Sequence, residues 1–125
     1  MMDGALRELM SIPPLPRIDL LHYLLSEAEG EHVAHCLDLN LVATGRDRDE
    51  AASKLDRLVK AHIELALASG HIANLATSAP QSFWKQFADG KPVKLHPTTI
   101  HIQIPKSVQV IPLGDSELKI LAHAA

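Results

Sequence analysis

One cysteine, Cys36, occurs in the 125 residues. No disulfide can form within the chain, which suits a reducing compartment. Aromatic residues are also scarce, at 3%, and consist of Tyr23, Phe83, Trp84 and Phe87. Single-stranded nucleic-acid binders set stacking rings along a basic groove, and this chain has little material for one. Positive charge is not in excess either: 12 Lys and Arg against 15 Asp and Glu leave a net charge of −3. That balance argues against a broad phosphate-binding surface. No apolar run approaches the roughly 20 residues needed to cross a bilayer. The opening residues MMDGALRELMSIPPLPR place acids and prolines where a secretion signal needs a continuous apolar segment. The expected location is therefore cytoplasmic, with no membrane attachment. There are no internal repeats and no low-complexity tracts.

What is present is 46% hydrophobic and 22% charged, enough to pack one domain of ordinary composition. Residues 1–17 read as an N-terminal arm with a short helix over 3–10, where Leu6, Leu9 and Met10 share a side. Pro13 to Pro16 end that helix, because proline lacks the amide donor and restricts its predecessor. Residues 18–125 read as a single domain. Its first strand runs from Ile18 to Leu25 with two apolar faces, Leu20 and Leu24 on one, Leu21, Tyr23 and Leu25 on the other. A strand of that kind is covered on both sides, here by a helix and by another subunit. Residues 27–30 (GluAlaGluGly) supply a hairpin turn. A second strand, Glu31 to Leu37, places His32, Ala34 and Cys36 opposite Val33, His35 and Leu37. Asp38 and Asn40 mark a bend, and a third strand, Leu41 to Thr44, stops at Gly45, whose lack of a side chain permits a tight turn into a helix.

Residues 47–69 carry the clearest pattern. Ala51, Leu55, Leu58, Val59, His62, Ile63 and Ala66 recur at helical steps of three and four. Asp47 is placed to cap the first turn with Glu50 three residues on, and Gly70 to close the last. Glu50–Lys54 and Asp56–Lys60 are i,i+4 ion pairs in the favourable orientation. Further on, APQSFWKQFADG predicts a short helix ending at Gly90, with Phe83 and Phe87 one turn apart and so facing the sheet. Residues 98–105 alternate as a strand with Ile100, Ile102 and Ile104 on one face. Pro105 and Pro112 interrupt the tail. The expected fold is α+β: a three- or four-stranded antiparallel sheet in the order β-β-β-α-β, with one long helix across one face.

The stretch HVAHCLDLNLVATGRDRDEAASKLDRLVKAHIELAL, residues 32–67, resembles the HicB family of antitoxins, through Ala34, Cys36, Leu37, Asp38, Leu39, Val42, Gly45, Asp47, Glu50, Ala51 and Leu55. The resemblance spans roughly residues 20–70, and Leu41 and Arg46 stand where many members carry glycine and aspartate. It implies a partial ribonuclease-H-like fold, a meander crossed by a helix, and a non-catalytic role: binding and blocking a small, basic, mRNA-cleaving toxin of the HicA type. It also makes the surface around Asp38, Asn40, Arg46 and Asp47 the expected place of partner contact. Many members add a C-terminal DNA-binding module. Here HIQIPKSV resembles the opening strand of a ribbon-helix-helix, but Pro112 and Gly114 break any long helix after it, so operator DNA binding is not expected.

Several sharper chemistries compete with structural roles for the same residues. His32, His35 and Cys36 are ligand types, yet alternation sends His35 away from the other two, and a set would need His22, His62 or His101 as well. A nucleophilic Cys36 needs a base such as His22 and a lowered thiol pKa, but its apolar strand favours a buried structural thiol. Metal-assisted phosphodiester cleavage needs converging carboxylates, whereas Asp19, Glu31 and Asp38 sit at strand ends or turns. No catalytic, cofactor-binding or metal-binding residue is assigned. Phe83, Trp84 and Phe87 serve as core or as a partner anchor. The two-sided first strand predicts a homo-oligomer, dimer or tetramer, through Leu20, Tyr23, Leu24, Ile100 and Ile102. The alternatives are a stand-alone structural or regulatory oligomer without a toxin, and a small-ligand or metal-binding enzyme.

Overall fold

The computed structural model describes residues 20–71, 75, 77–95, 99–103 and 115–125. The expected N-terminal helix and the prolines after it lie outside these residues. The first strand, β1 (Leu20–Ala28), runs three residues past its expected end and turns through Glu29 and Gly30, both with positive φ (53° and 80°), into β2 (Glu31–Cys36). Two left-handed residues in a two-residue connection match the right-handed twist of paired strands. A turn at 37–40 leads to β3 (Leu41–Gly45), which completes the antiparallel meander with Cys36 opposite Tyr23 and Leu41.

Helix α1 (Arg48–Ser69) begins where the caps require. Asp47 is extended, and its carboxylate accepts from the Glu50 amide at 2.8 Å. Glu50 reaches back to the amide of Arg46 rather than that of Asp47. Gly70, in the left-handed conformation, closes the helix with its amide on Ala66 O. The reason for glycine at position 45 is a close approach. A Cβ there would lie 2.5 Å from Ala51 N and 2.9 Å from Glu50 C, so β3 and the first turn of α1 touch backbone to backbone.

Helix α2 (Gln81–Asp89) is followed by β4 (Lys91–Val93), β5 (Ile100–Gln103) and β6 (Asp115–Ala124). The fold is α+β as expected, but the sheet is larger and mixed. Among the described residues its six strands have the order β3-β2-β1-β6-β4, with β5 paired to β6. The expectation of a three- or four-stranded, wholly antiparallel sheet fails at β6, which pairs in parallel with β1, Leu21 opposite Ile120 and Tyr23 opposite Ala122. Leu118 and Ala122 are buried and Ile120 half-buried on alternate positions, so a strand period existed in a segment read as a broken tail.

The sheet has two covered faces. On one, α1 packs Leu55, Val59 and Ile63 on Leu21, Tyr23, Leu25, Ala34 and Cys36, joined by Ile100, Ile102 and Leu118. On the other, α2 packs Phe87, with half-buried Phe83 and Trp84, on Leu24 and Leu37. The aromatic helix thus covers the face expected to meet a second subunit. Tyr23, Leu24, Ile100 and Ile102 are at most 4% exposed within a single chain, so they offer no surface for self-association. Of the five residues expected there, Leu20 alone is exposed. The helix face also differs in detail: Asp56 and Ala52 are buried, whereas Leu58 is exposed. Among the described residues, no helix is long and apolar enough to cross a membrane.

Candidate functional site

The four residues expected to meet a partner fall into two groups. Asp38 and Asn40 sit in the turn before β3; Arg46 and Asp47 follow it. Six extended steps separate Asn40 from Arg46, about 20 Å at 3.3 Å each, so the structure does not gather them into one patch. Nor are all four free. Asp38 is half-buried and turned inward, where one oxygen accepts from the His22 amide at 2.6 Å and the other from His22 Nδ1 at 3.0 Å. Asp47 is committed to its cap. Asn40 is exposed with φ 54°, and its Oδ1 lies 2.8 Å from His35 Nε2. Arg46 is the most open, with a side chain 91% exposed and Nε 3.2 Å from Glu50 Oε2.

The cluster that sequence reasoning did not find is a layer of imidazoles between the sheet and α2. His22 on β1, His35 on β2 and His123 on β6 all point to this face because each lies at the same strand parity as Leu24, to which His35 and His123 are paired. Each ring packs on an aromatic of α2. His22 stands edge-on to Trp84 and Phe87, His35 edge-on to Phe83, and His123 stacks on Phe87 at 4.0 Å with its plane tilted 6°. His123 Nδ1 donates to the carbonyl of Phe87 at 2.8 Å, a bond to the C-terminal turn of α2. A carboxylate and a carbonyl only accept, so Nδ1 carries the proton in both His22 and His123. A period-two reading of residues 115–124 would have exposed His123. The His22–Asp38 pair, sixteen residues apart, required the register.

These contacts clamp α2 onto the sheet. Cys36 faces the α1 core with 0% exposure, and burial pushes its thiol up to about 12. Its sulfur approaches Asp38 Oδ1 at 4.0 Å, while His22 is held by that same carboxylate. The thiol therefore lacks both the imidazole partner and the depressed pKa that a nucleophile needs. Glu31 is exposed at the start of β2, His32 lies 3.7 Å from Glu27, and Asp19 falls outside the described residues. Among the described residues no three His, Cys, Asp or Glu side chains gather closely enough to hold a metal ion. On the α1 side, the Tyr23 hydroxyl donates to Asp56 Oδ1 at 2.7 Å in the buried interface, a pair that positions the helix. Set against protein-family models, curated proteins and solved structures, the chain finds no match in any of the three.

Proposed function

We propose that the chain is a non-catalytic, cytoplasmic protein-binding module of the HicB type that neutralises a small, basic, mRNA-cleaving toxin of the HicA type. The observation that carries this reading is the uninterrupted β-β-β-α unit over residues 20–69, the span over which the sequence resembles that family. Its connections are built from the residues that carry the resemblance, with Gly45 under the helix start and Asp47 capping it. Asn40 and Arg46 are the contact residues, since both are exposed and both are held by a neighbouring side chain. The net charge of −3 favours encounter with a basic partner. A buried, unreactive Cys36 and an Asp38 spent on His22 support binding rather than turnover.

The test is an RNA-cleavage assay with the small basic protein encoded beside this chain. Equimolar chain should protect the RNA and co-elute with the toxin. Arg46→Glu and Asn40→Arg should weaken protection at a temperature where each variant, by its own melting curve, is still folded. The chain alone should leave RNA intact with Mg²⁺ or Mn²⁺, and should form no discrete complex with its own promoter DNA. Divalent-dependent cleavage lost on Asp38→Asn, or a neighbour that neither binds nor cleaves RNA, would overturn the reading. A second reading, a structural or regulatory oligomer without a toxin, is favoured by the apolar side chains left exposed on α1 and β3, namely Leu58, Leu65 and Val42.

A further inference from the structure

The turn between β2 and β3 shows one residue fully to solvent. Leu37 and Leu39 are buried, Asp38 is half-buried, and Asn40 is exposed. The first three are fixed by the body of the fold. Leu37 donates its amide to His22 O at 2.9 Å and accepts from the Ala79 amide at 2.8 Å. Asp38 accepts from the amide and the ring of His22, and Leu39 lies in the α1 core. Asn40 is held differently. Its φ of 54° is a left-handed conformation, disfavoured for a residue with a side chain and kept where the surroundings hold it. Its side chain is held by His35 Nε2 at 2.8 Å. An amide oxygen only accepts, so the imidazole is the donor.

His35 in turn is set by α2. It is 7% exposed and lies between Leu24 on β1 and Val42 on β3. The ring of Phe83 stands edge-on to it, with centroids 4.7 Å apart and planes at 73°. A side chain backed in this way keeps its orientation while the backing stays in place. Phe83 is carried by α2, whose seat is secured at other points. Phe87 stacks on the His123 ring, His123 Nδ1 donates to the Phe87 carbonyl, and Trp84 Nε1 donates to Ser78 Oγ at 2.9 Å. One side chain, His35, therefore touches both the aromatic helix and the exposed residue of the turn.

We propose that His35 is a positioning residue that couples α2 to Asn40, so that Asn40 is presented to a partner in its left-handed conformation only while α2 is seated on the sheet. With α2 displaced, the imidazole opens to water and exchanges Asn40 for solvent at little cost. The exposed residue of the turn is then free to return to commoner backbone conformations. The coupling runs both ways. A partner that immobilises Asn40 tightens α2, and a ligand that draws Phe83 away releases the partner. Helix α2 thereby regulates the binding surface as well as covering the sheet. The link to a partner rests on the toxin reading, from which Asn40 takes its contact role. The coupling among Phe83, His35 and Asn40 does not.

The test reads the coupling on the full chain alone, through the backbone amide order parameter of Asn40. That value is about 0.85 where a chain is rigid and below about 0.6 where it is flexible. His35→Phe keeps a ring against Phe83 and removes the donor. Phe83→Ala keeps the donor and removes its backing. Each should lower the value at Asn40, and the double variant should lower it no further than His35→Phe alone, because the two changes cut one path. Arg46, beyond the other end of β3, should not change. With the toxin present, His35→Phe should bind it about 3- to 10-fold more weakly than the parent. An Asn40 that His35→Phe leaves rigid would overturn the proposal. So would additive losses in the double variant, a loss that reaches Arg46 equally, or unchanged toxin affinity beside a loosened Asn40. A parent chain that binds no toxin counts against the toxin reading and leaves the coupling to be decided by Asn40.

Discussion

The hydroxyl of Tyr23, in the middle of β1, donates to a carboxylate oxygen of Asp56 on α1 at 2.7 Å, and both side chains are buried between helix and sheet. An acid on the inner face of an amphipathic helix is costly unless its lone pairs are met. Here one bond meets it and ties the long helix to the central strands at a fixed register. Burial raises the Asp56 carboxyl above its ordinary 3.8, against the lowering effect of the Tyr23 bond, and the Tyr23 phenol is raised by the same burial.

Tyr23→Phe removes the donor and leaves the acid buried without it, at an expected cost of about 1–3 kcal/mol, read by urea denaturation. A variant as stable as the parent would show that Asp56 does not depend on the bond.

The raised carboxyl sets a pH dependence with a definite sign. Above the ordinary aspartate value the unfolded chain has released this proton while the native chain still holds it. The Asp56 contribution is therefore most favourable in acid and declines as pH rises through the native value. Asparagine at this position keeps an acceptor for Tyr23 and carries no charge. The stability of Asp56→Asn relative to the parent should thus rise from acid to neutral pH. A difference independent of pH would mean that the carboxyl is not raised.

Gly45→Ala places a methyl group against the backbone of Glu50 and Ala51. Neither strand end nor helix start can yield without breaking the Asp47 cap, so the expected loss is about 1–3 kcal/mol or more. The measurement is the denaturation midpoint, with the amide of Glu50 followed by hydrogen exchange to show that the cap loosens first. Parental stability would place the reason for glycine elsewhere.

Cys36, with its thiol pushed up to about 12 from an ordinary 9.0, holds about a thousandfold less thiolate than an unperturbed cysteine at mildly alkaline pH. The folded chain should release no colour from an aromatic disulfide reagent over minutes and one equivalent once denatured. Rapid modification of the native chain would contradict the burial of this residue.

Glu64 accepts from the Gln103 amide and from Lys60, and the first of these bonds chiefly holds its carboxyl below the ordinary 4.5, against burial. Its stabilisation is present above that value and is lost as pH falls through the native one. Because the pair is partly exposed, Glu64→Ala should cost about 1 kcal/mol or less overall. Amide exchange in Ile100–Gln103 should nevertheless accelerate selectively. Equal acceleration in β1 and β2 would show that β5 is not held separately.

Local features made the meander and the long helix legible from the chain itself. The two faces of residues 20–25, the Asp47 cap, Gly70 and the apolar steps from Ala51 to Ala66 each follow from the geometry of one strand or one helix, which neighbouring residues express directly. The docking of Phe83 and Phe87 on the sheet was legible for the same reason. Tertiary structure decided the rest. Whether β1 is covered by a second subunit or by α2 is not written in β1. The parallel partner of β1 lies near residue 120, and only packing selects it. Asp56 reads as a surface acid paired with Lys60 until Tyr23 is brought across from β1. Asp38 reads as an exposed turn residue until the register turns it onto His22. Interactions between residues close in sequence leave a period or a spacing behind. Those between distant residues are fixed when strands and helices meet, and no short segment records them.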